Sequence, residues 1–260
     1  MSAARSDEDP QLGLRWREMT VPERERAYSP SSCLPDGDYG PYIEQCRRIG
    51  EEVWPRLVAS PDARTTTVRY GTSSSRTIDL AVPTSGDSAV PLVVFFHGGY
   101  WQELSKADAH FAAWDCVRQG WAFAAVDYTL APEADLPAIV AECRDALRTL
   151  RGDAASLGFD AGEIFVAGSS AGAHLAAMVA TDPAGAGPPL RGAILLSGIF
   201  ELEPLIGTSI NDALGLDETA ARELSPLRAD LGGFPPTLVA YGDDETDEFK
   251  AQSHAFAHRL

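Results

Sequence analysis

Residues 168–172, Gly-Ser-Ser-Ala-Gly, constrain the fold of this chain more than any other stretch. They follow the short run 163–167, apolar after its first residue, and lead into an alanine-rich stretch, which predicts a tight turn from a buried strand into a helix. A serine at the centre of such a turn projects outward, and small residues on either side let the neighbouring backbone approach. Ser170 is therefore a candidate nucleophile; Ser169 also has small neighbours, but the glycines frame Ser170. The stretch is equally compatible with an ordinary Gly/Ser turn, so the other motifs must decide.

The rest of the chain alternates between apolar runs and amphipathic stretches. Strands are predicted at 65–70, 77–82, 92–96, 121–127, 163–167, 193–197 and 236–241. Helices are predicted at 44–54, 106–119, 136–151, 171–180 and 247–260, the first of them ending at Pro55. The first two strands, joined by a Gly/Ser turn, indicate an antiparallel hairpin. The later alternation indicates an α/β fold with a mostly parallel sheet and helices on both faces.

Length and composition fit one large domain. The chain has 260 residues, of which 45% are hydrophobic, enough for a sizeable core. We expect a polar, loosely held N-terminal leader at 1–30 and a single α/β domain at 31–260. Within that domain, the stretch 200–234 is broken by prolines and glycines. We expect it to form a wall or lid over the site, with Leu205 and Ile206 as apolar lining.

The charge of the chain disfavours polyanionic partners. The formal net charge is −17, so both nucleic acid and an anionic membrane surface would repel it. No apolar segment is long enough to span a membrane or to act as a signal peptide, so we expect a soluble, cytoplasmic protein. The four cysteines form no CxxC pair. We therefore expect free thiols, no metal and no cofactor.

A second motif, His-Gly-Gly-Tyr-Trp at 97–101, directly follows the predicted strand 92–96. Two glycines at the carboxyl end of a strand let backbone N–H groups turn into the crevice where α/β sheets bind ligands. The N–H of Ala171, at the start of the helix after Ser170, faces any negative charge that develops beside the serine. Together, the loop and the serine turn favour a nucleophile site with an oxyanion hole.

These motifs resemble the α/β-hydrolase superfamily, and within it the HGGxW branch typified by kynurenine formamidase (arylformamidase). The resemblance extends from about Tyr28 to the C-terminus, and single motifs are shared with lipases and esterases. It rests on the order of Tyr-Ser-Pro-Ser at 28–31, His-Gly-Gly-Tyr-Trp-Gln at 97–102, Tyr-Thr-Leu-Ala-Pro at 128–132, Ser-Ala-Gly-Ala-His-Leu at 170–175, Ser-Gly-Ile-Phe at 197–200 and Asp-Glu-Phe-Lys-Ala-Gln-Ser at 247–253. The resemblance implies that the oxyanion donors are the N–H groups of Gly99, Tyr100 and Ala171.

The acid of a serine triad is expected directly after the predicted strand 236–241. The loop there, Gly-Asp-Asp-Glu at 242–245, contains three carboxylates. The resemblance places the acid at Glu245, with Asp244 and then Asp243 as alternatives; a plain solvated acidic loop is the other interpretation. The family usually has Asp at this position, but a Glu also reaches the N–H of an imidazole.

The histidine base of the triad is not evident. In the superfamily the order is Ser, acid and then His, with the histidine on a loop after one further strand. After Glu245 the chain contains only His254 and His258, four residues apart on the predicted last helix, which indicates a surface pair. His174 is interpreted as a packing residue and His97 as a brace of the glycine loop. We therefore expect an α/β-hydrolase fold truncated at the C-terminus, without its last strand and catalytic histidine.

The resemblance implies a serine hydrolase that acts on a small-molecule substrate. Ser170 would attack a carbonyl, and water would then hydrolyse the acyl-enzyme. The expected substrate is a formyl amide of an aromatic amine, since formyl suits a crowded oxyanion loop. Trp101 is a candidate substrate-binding residue, with packing as the alternative role. A general short-acyl carboxylesterase and a non-catalytic ligand-binding relative are alternative functions, and a homodimer is left open.

Overall fold

The computed structural model describes residues 14–84, 89–181 and 189–260. These ranges contain the strands β1 (Ala63–Arg69), β2 (Thr77–Pro83), β3 (Val90–Phe96), β4 (Ala122–Val126), β5 (Phe159–Ser169), β6 (Gly192–Leu196) and β7 (Thr237–Ala240). They form one sheet in the order β1-β2-β4-β3-β5-β6-β7. β2 pairs antiparallel with both β1 and β4, whereas the other neighbours pair parallel. The predicted mostly parallel sheet with an antiparallel hairpin is confirmed.

Helices connect and flank these strands. They are α1 (Val21–Ala27), α2 (Gly40–Ala59), α3 (Ala113–Arg118), α4 (Leu136–Leu157), α5 (Ala171–Ala180), α6 (Asn211–Leu214), α7 (Glu218–Glu223) and α8 (Asp247–Arg259). The predicted helix 106–119 is instead a 3₁₀ turn, Lys106–Ala112, followed by α3. The stretch 200–234 holds α6, α7 and two 3₁₀ turns. In the described ranges, no helix has the length and apolar character needed to cross a membrane.

Several element boundaries differ from the prediction, and two of the differences have a clear local reason. α2 runs through Pro55 to Ala59, so the prediction that Pro55 ends this helix is wrong. Pro55 lies on the exposed side of α2, where water reaches the carbonyl that loses its partner. β5 begins at Phe159, earlier than predicted. The prediction missed its first residues because Asp160 and Gly162 interrupt the apolar pattern of the strand.

Side chains of β3 alternate between two hydrophobic cores. Leu92, Val94 and Phe96 belong to the core that includes side chains of α4, α5 and α8. Val93 and Phe95 belong to a second core, which includes side chains of α2 and α3. A central parallel strand that is apolar on both sides is expected to lie between two helical layers. The prediction of helices on both faces is therefore confirmed.

The described end of the N-terminal leader is packed against the domain. Of the predicted leader 1–30, residues 1–13 lie outside the described residues. Tyr28 is fully buried, and its hydroxyl donates to Glu248 Oε2 of α8 at 3.1 Å. The Thr246 hydroxyl donates to the Ala27 carbonyl at 2.6 Å. The prediction of a loosely held leader is therefore wrong for the end of this segment, because hydrogen bonds to Thr246 and Glu248 hold it in place.

A buried carboxylate fastens the 3₁₀ turn Lys106–Ala112 to the sheet. Asp79 of β2 lies 3.0 Å from Lys106 Nζ, 3.1 Å from His110 Nε2 and 2.7 Å from the Thr67 hydroxyl, and it accepts from all three. Burial alone would raise the pKa of Asp79. The three hydrogen bonds outweigh burial and hold this pKa at about 2.

Replacing Asp79 by Asn is expected to lower the free energy of unfolding at neutral pH by about 2 kcal/mol. A depressed folded-state pKa gives stability that is present above the unfolded-state value of about 4 and is lost as the pH falls towards about 2. The difference between Asp79→Asn and wild type should therefore shrink over that range. Urea unfolding at a series of pH values measures it, and a difference that does not depend on pH would contradict the assignment.

Candidate active site

Ser170 lies at the turn between β5 and α5. Its backbone has φ 56° and ψ −121°, a conformation that a non-glycine residue keeps only when its surroundings enforce it. Its N–H donates to the Leu196 carbonyl at the end of β6, at 2.8 Å, so the neighbouring strand helps to hold the turn. The serine thus lies at the carboxyl edge of the parallel sheet, where α/β folds bind ligands.

The turn is in direct backbone contact with the end of β3. A Cβ added to Gly172 would lie 2.0 Å from the Phe96 carbonyl oxygen. A Cβ added to Gly98 would lie 2.9 Å from the Ser169 carbonyl oxygen and 3.4 Å from the Ser170 Cβ. Only glycines allow such close approach. The two sequence motifs therefore meet in space, with the glycine loop beside Ser170.

The loop 97–101 presents unused N–H groups. Gly99, Tyr100 and Trp101 have φ values of 93°, 48° and 60°, and a run of left-handed residues turns successive N–H groups towards the concave side of a loop. Among the loop and cap hydrogen bonds of the described residues, none is donated by the N–H groups of Gly99, Tyr100 or Ala171. These three groups are the predicted oxyanion donors, and they remain free to bind an anion.

Glu245 lines the same cavity as Ser170. Its Oε1 atom accepts from the Ser197 hydroxyl at 2.5 Å and from the Gly242 N–H at 2.7 Å. Its Oε2 atom is buried and has no hydrogen-bond partner in the described part of the chain. The alternatives, Asp243 and Asp244, are exposed and do not line the cavity. Geometry therefore favours Glu245 among the three carboxylates.

The cavity that contains Ser170 has a volume of about 530 Å³. Aromatic rings form much of its wall, namely Tyr39, Phe95, Tyr100, Phe111 and Phe249. Several lining residues were not identified from the sequence: Glu25, Ser29, Ser197, Ser209 and Ile210. They come from the N-terminal segment and from loops after β6. Ser29 and Ser197 lie in the motifs at 28–31 and 197–200, whereas no local motif marks the other three. Only the tertiary fold brings them to the site.

Trp101 does not contact the cavity, so its prediction as a substrate-binding residue is wrong. The side chain is fully buried, and its ring packs edge-on against His174 with centroids 5.0 Å apart. The loop turns Tyr100 into the cavity and Trp101 into the core. Leu205 is also fully buried, and the stretch 200–234 reaches the cavity through Ser209 and Ile210 instead.

Two histidines near the site have structural partners. His174 is fully buried with Nε2 2.8 Å from the Leu224 carbonyl, and burial lowers the pKa of His174 to about 4. His97 lines the cavity; its Nδ1 lies 2.9 Å from the Gly98 carbonyl and its ring stacks on Tyr128 at 4.2 Å. Both observations agree with the predictions that His174 packs and that His97 braces the loop.

The other three histidines lie away from the cavity. His110 pairs with Asp79. On α8, His254 has its Nε2 atom 2.8 Å from the Tyr241 hydroxyl and is exposed, as is His258. The predicted surface pair is confirmed.

The fold and the site define an α/β-hydrolase. The structure resembles that of a suggested thioesterase from Silicibacter sp. TM1040, with a TM-score of 0.76 and 28% identity over 89% of this chain and 85% of that one. It also resembles an esterase from Pyrobaculum calidifontis, with a TM-score of 0.66 and 26% identity over 87% and 80% of the two chains. The family model described as BD-FAE matches residues 78–186.

Sequence similarity identifies a family within the α/β-hydrolases. The kynurenine formamidase of Danio rerio is 33% identical in an alignment that covers 94% of this chain and 85% of that protein. The chain therefore belongs to the kynurenine formamidase family of α/β-hydrolases, and it is a hydrolase.

Replacing Gly172 by Ala is expected to destabilise the protein by about 2–3 kcal/mol and to remove most hydrolytic activity. The added methyl group would overlap the Phe96 carbonyl, and backbone on both sides cannot yield. Gly152 is the matched control: it lies exposed within α4 and has no atom within 4 Å of an added Cβ. Gly152→Ala is expected to stabilise the helix by about 0.5–1 kcal/mol. Urea unfolding compares the two, and equal free energies would contradict the tight contact.

Proposed function

We propose that this chain hydrolyses a small acyl amide, a formamide above all, of an aromatic amine. The observation that carries the proposal is the placement of Ser170. It occupies a strained turn, faces a cavity walled by aromatic rings and lies beside the unused N–H groups of Gly99, Tyr100 and Ala171. We infer that Ser170 is the nucleophile and that these N–H groups form the oxyanion hole.

The proposed reaction is acyl transfer through an acyl-enzyme. The Ser170 oxygen attacks the amide carbonyl and loses its proton to a base, while the carbonyl oxygen becomes an oxyanion held by the three N–H groups. The C–N bond then breaks, and the amine leaves with a proton. Water attacks the resulting ester, which releases the carboxylic acid and restores the Ser170 hydroxyl.

The cavity supports an aromatic leaving group. Its walls include Tyr39, Phe95, Phe111 and Phe249, and aromatic rings pack well against one another. The loop around Gly98 is packed directly against Ser170, which leaves little room on the acyl side and suits formyl. The similarity to kynurenine formamidase over most of both chains supports the same substrate class.

The direct test compares an aromatic formamide, such as N-formylkynurenine, with p-nitrophenyl acetate. Wild type is expected to cleave the formamide, and Ser170→Ala is expected to lose this activity, since the nucleophile is removed. Similarity to an esterase favours a general short-acyl carboxylesterase as the second candidate. Cleavage of the ester alone would refute the formamidase proposal but not a serine hydrolase. Hydrolysis that survives Ser170→Ala would refute both.

The position of Glu245 indicates where the base that accepts the Ser170 proton would bind. A buried carboxylate oxygen without a partner is costly, and an imidazole N–H donated to Glu245 Oε2 would satisfy it. An imidazole held there would be oriented by Glu245 for the Ser170 proton, as in a serine triad. Among the described residues, which include all five histidines, no histidine ring bonds to Glu245.

Imidazole added to the assay is therefore expected to raise the rate of hydrolysis by wild type by about tenfold or more. Ser170→Ala should show no such increase, and Glu245→Gln a smaller one. 1-Methylimidazole is the matched control base, because it accepts a proton but has no N–H to donate to Glu245. Equal acceleration by the two bases would contradict the proposed role of Glu245.

We also infer that the protein works in a reducing compartment such as the cytoplasm. All four cysteines are unpaired, which is the usual state under reducing conditions. The homodimer stays a prediction.

A further inference from the structure

We propose that the side-chain hydroxyl of Tyr100 is a positioning group for the oxyanion loop. By donating a hydrogen bond to the Tyr28 carbonyl, it fixes the backbone that carries the Gly99 and Tyr100 N–H groups. Tyr28 thereby becomes part of the machinery of the site, although it lies 72 residues away in sequence. The inference rests on the proposed function, because it concerns how the proposed oxyanion donors are held.

The Tyr100 hydroxyl acts as a hydrogen-bond donor. It donates to the Tyr28 carbonyl from the wall of the cavity. Burial, together with the nearby Glu25 carboxylate, raises the pKa of Tyr100 far above its ordinary value. The hydroxyl therefore stays protonated at neutral pH and can donate to the Tyr28 carbonyl.

The loop needs such a restraint. Three successive residues, from Gly99 to Trp101, have positive φ, and two of them are not glycine. Conformations of this kind persist only when the surrounding structure enforces them. Burial of Trp101 holds one end of the strained segment in the core. The Tyr100 hydroxyl, bonded to the Tyr28 carbonyl, holds the middle residue of the segment, whose N–H is one of the proposed oxyanion donors.

The acceptor is itself fixed. Tyr28 is fully buried, and its hydroxyl bonds to Glu248 at 3.1 Å and to Gln252 Nε2 at 3.3 Å. Gln252 Oε1 in turn accepts from the N–H groups of Phe200 and Glu201, each at 2.8 Å. Because these bonds hold Tyr28 in place, its carbonyl is a fixed acceptor that restrains the loop 97–101.

Tyr28 and its neighbour Ala27 also connect the oxyanion loop to the helix that follows Glu245. Glu248 and Gln252 lie on α8, which begins directly after the loop that carries Glu245. The Thr246 hydroxyl also donates to the Ala27 carbonyl at 2.6 Å, next to Tyr28. The N-terminal segment therefore sets the distance between the oxyanion loop and the carboxylate of Glu245.

The test is Tyr100→Phe, which keeps the ring and removes only the hydroxyl. We expect kcat to fall about 10- to 100-fold with KM changed by less than about twofold, because a displaced oxyanion donor weakens transition-state binding more than substrate binding. Tyr70→Phe is the matched control. It also removes a tyrosine hydroxyl that donates to a backbone carbonyl, that of Asp127, but outside the cavity wall.

A second measurement separates positioning from general stability and does not need turnover. Hydrogen exchange of the peptide that spans 97–104 is expected to become faster in Tyr100→Phe and to stay unchanged in Tyr70→Phe. If wild type hydrolyses no substrate, the proposed function fails, and exchange alone still decides the inference. If wild type is active, unchanged kcat in Tyr100→Phe overturns the inference and leaves the proposed function standing. A fall in kcat without faster loop exchange also overturns it, since the loss would not act through the backbone.

Discussion

The close backbone contact between α5 and the end of β3 is the constraint on which the site depends. Gly172 touches the Phe96 carbonyl, and Gly98 touches Ser169 and Ser170. Because β3 and β5 are neighbours in the sheet, their carboxyl ends meet at one edge. A side chain at either glycine would push Ser170 away from the proposed oxyanion donors. The two motifs lie about 70 residues apart in sequence. The order of the strands and the lack of a side chain at both glycines bring them together in one site.

Backbone strain is concentrated where these two motifs meet. Ser170, Tyr100, Trp101 and Ser197 all have positive φ although none is glycine. Each is held by long-range partners: Ser170 by the end of β6, Tyr100 by Tyr28, Trp101 by the Ala131 N–H, and Ser197 by Ala240 and Glu245. Strain of this kind is stable only inside a rigid frame. The frame here is the sheet together with α8 and the N-terminal segment.

The parts of the site that depend on short-range sequence are predictable, and those that depend on packing are not. Glycine spacing and the apolar runs before it identify the serine turn, the oxyanion loop and the sheet between them, because backbone geometry enforces those residues. Nothing local shows that Trp101 turns into the core while its neighbour Tyr100 faces the cavity, since both are large aromatics. Glu25 and Ser209 lie in polar segments without periodicity, and their hydrogen bond forms only after folding.

Asp79 and Glu245 use their carboxylate oxygens differently. Asp79 is buried and uses both oxygens, accepting from Lys106, His110 and Thr67. Glu245 uses one oxygen to fix its position and leaves the other buried without a partner in the described chain. A buried carboxylate oxygen without a partner costs free energy, because no hydrogen bond replaces the water that it has lost. The unpaired oxygen supports the proposal that Glu245 orients an imidazole in the cavity beside Ser170.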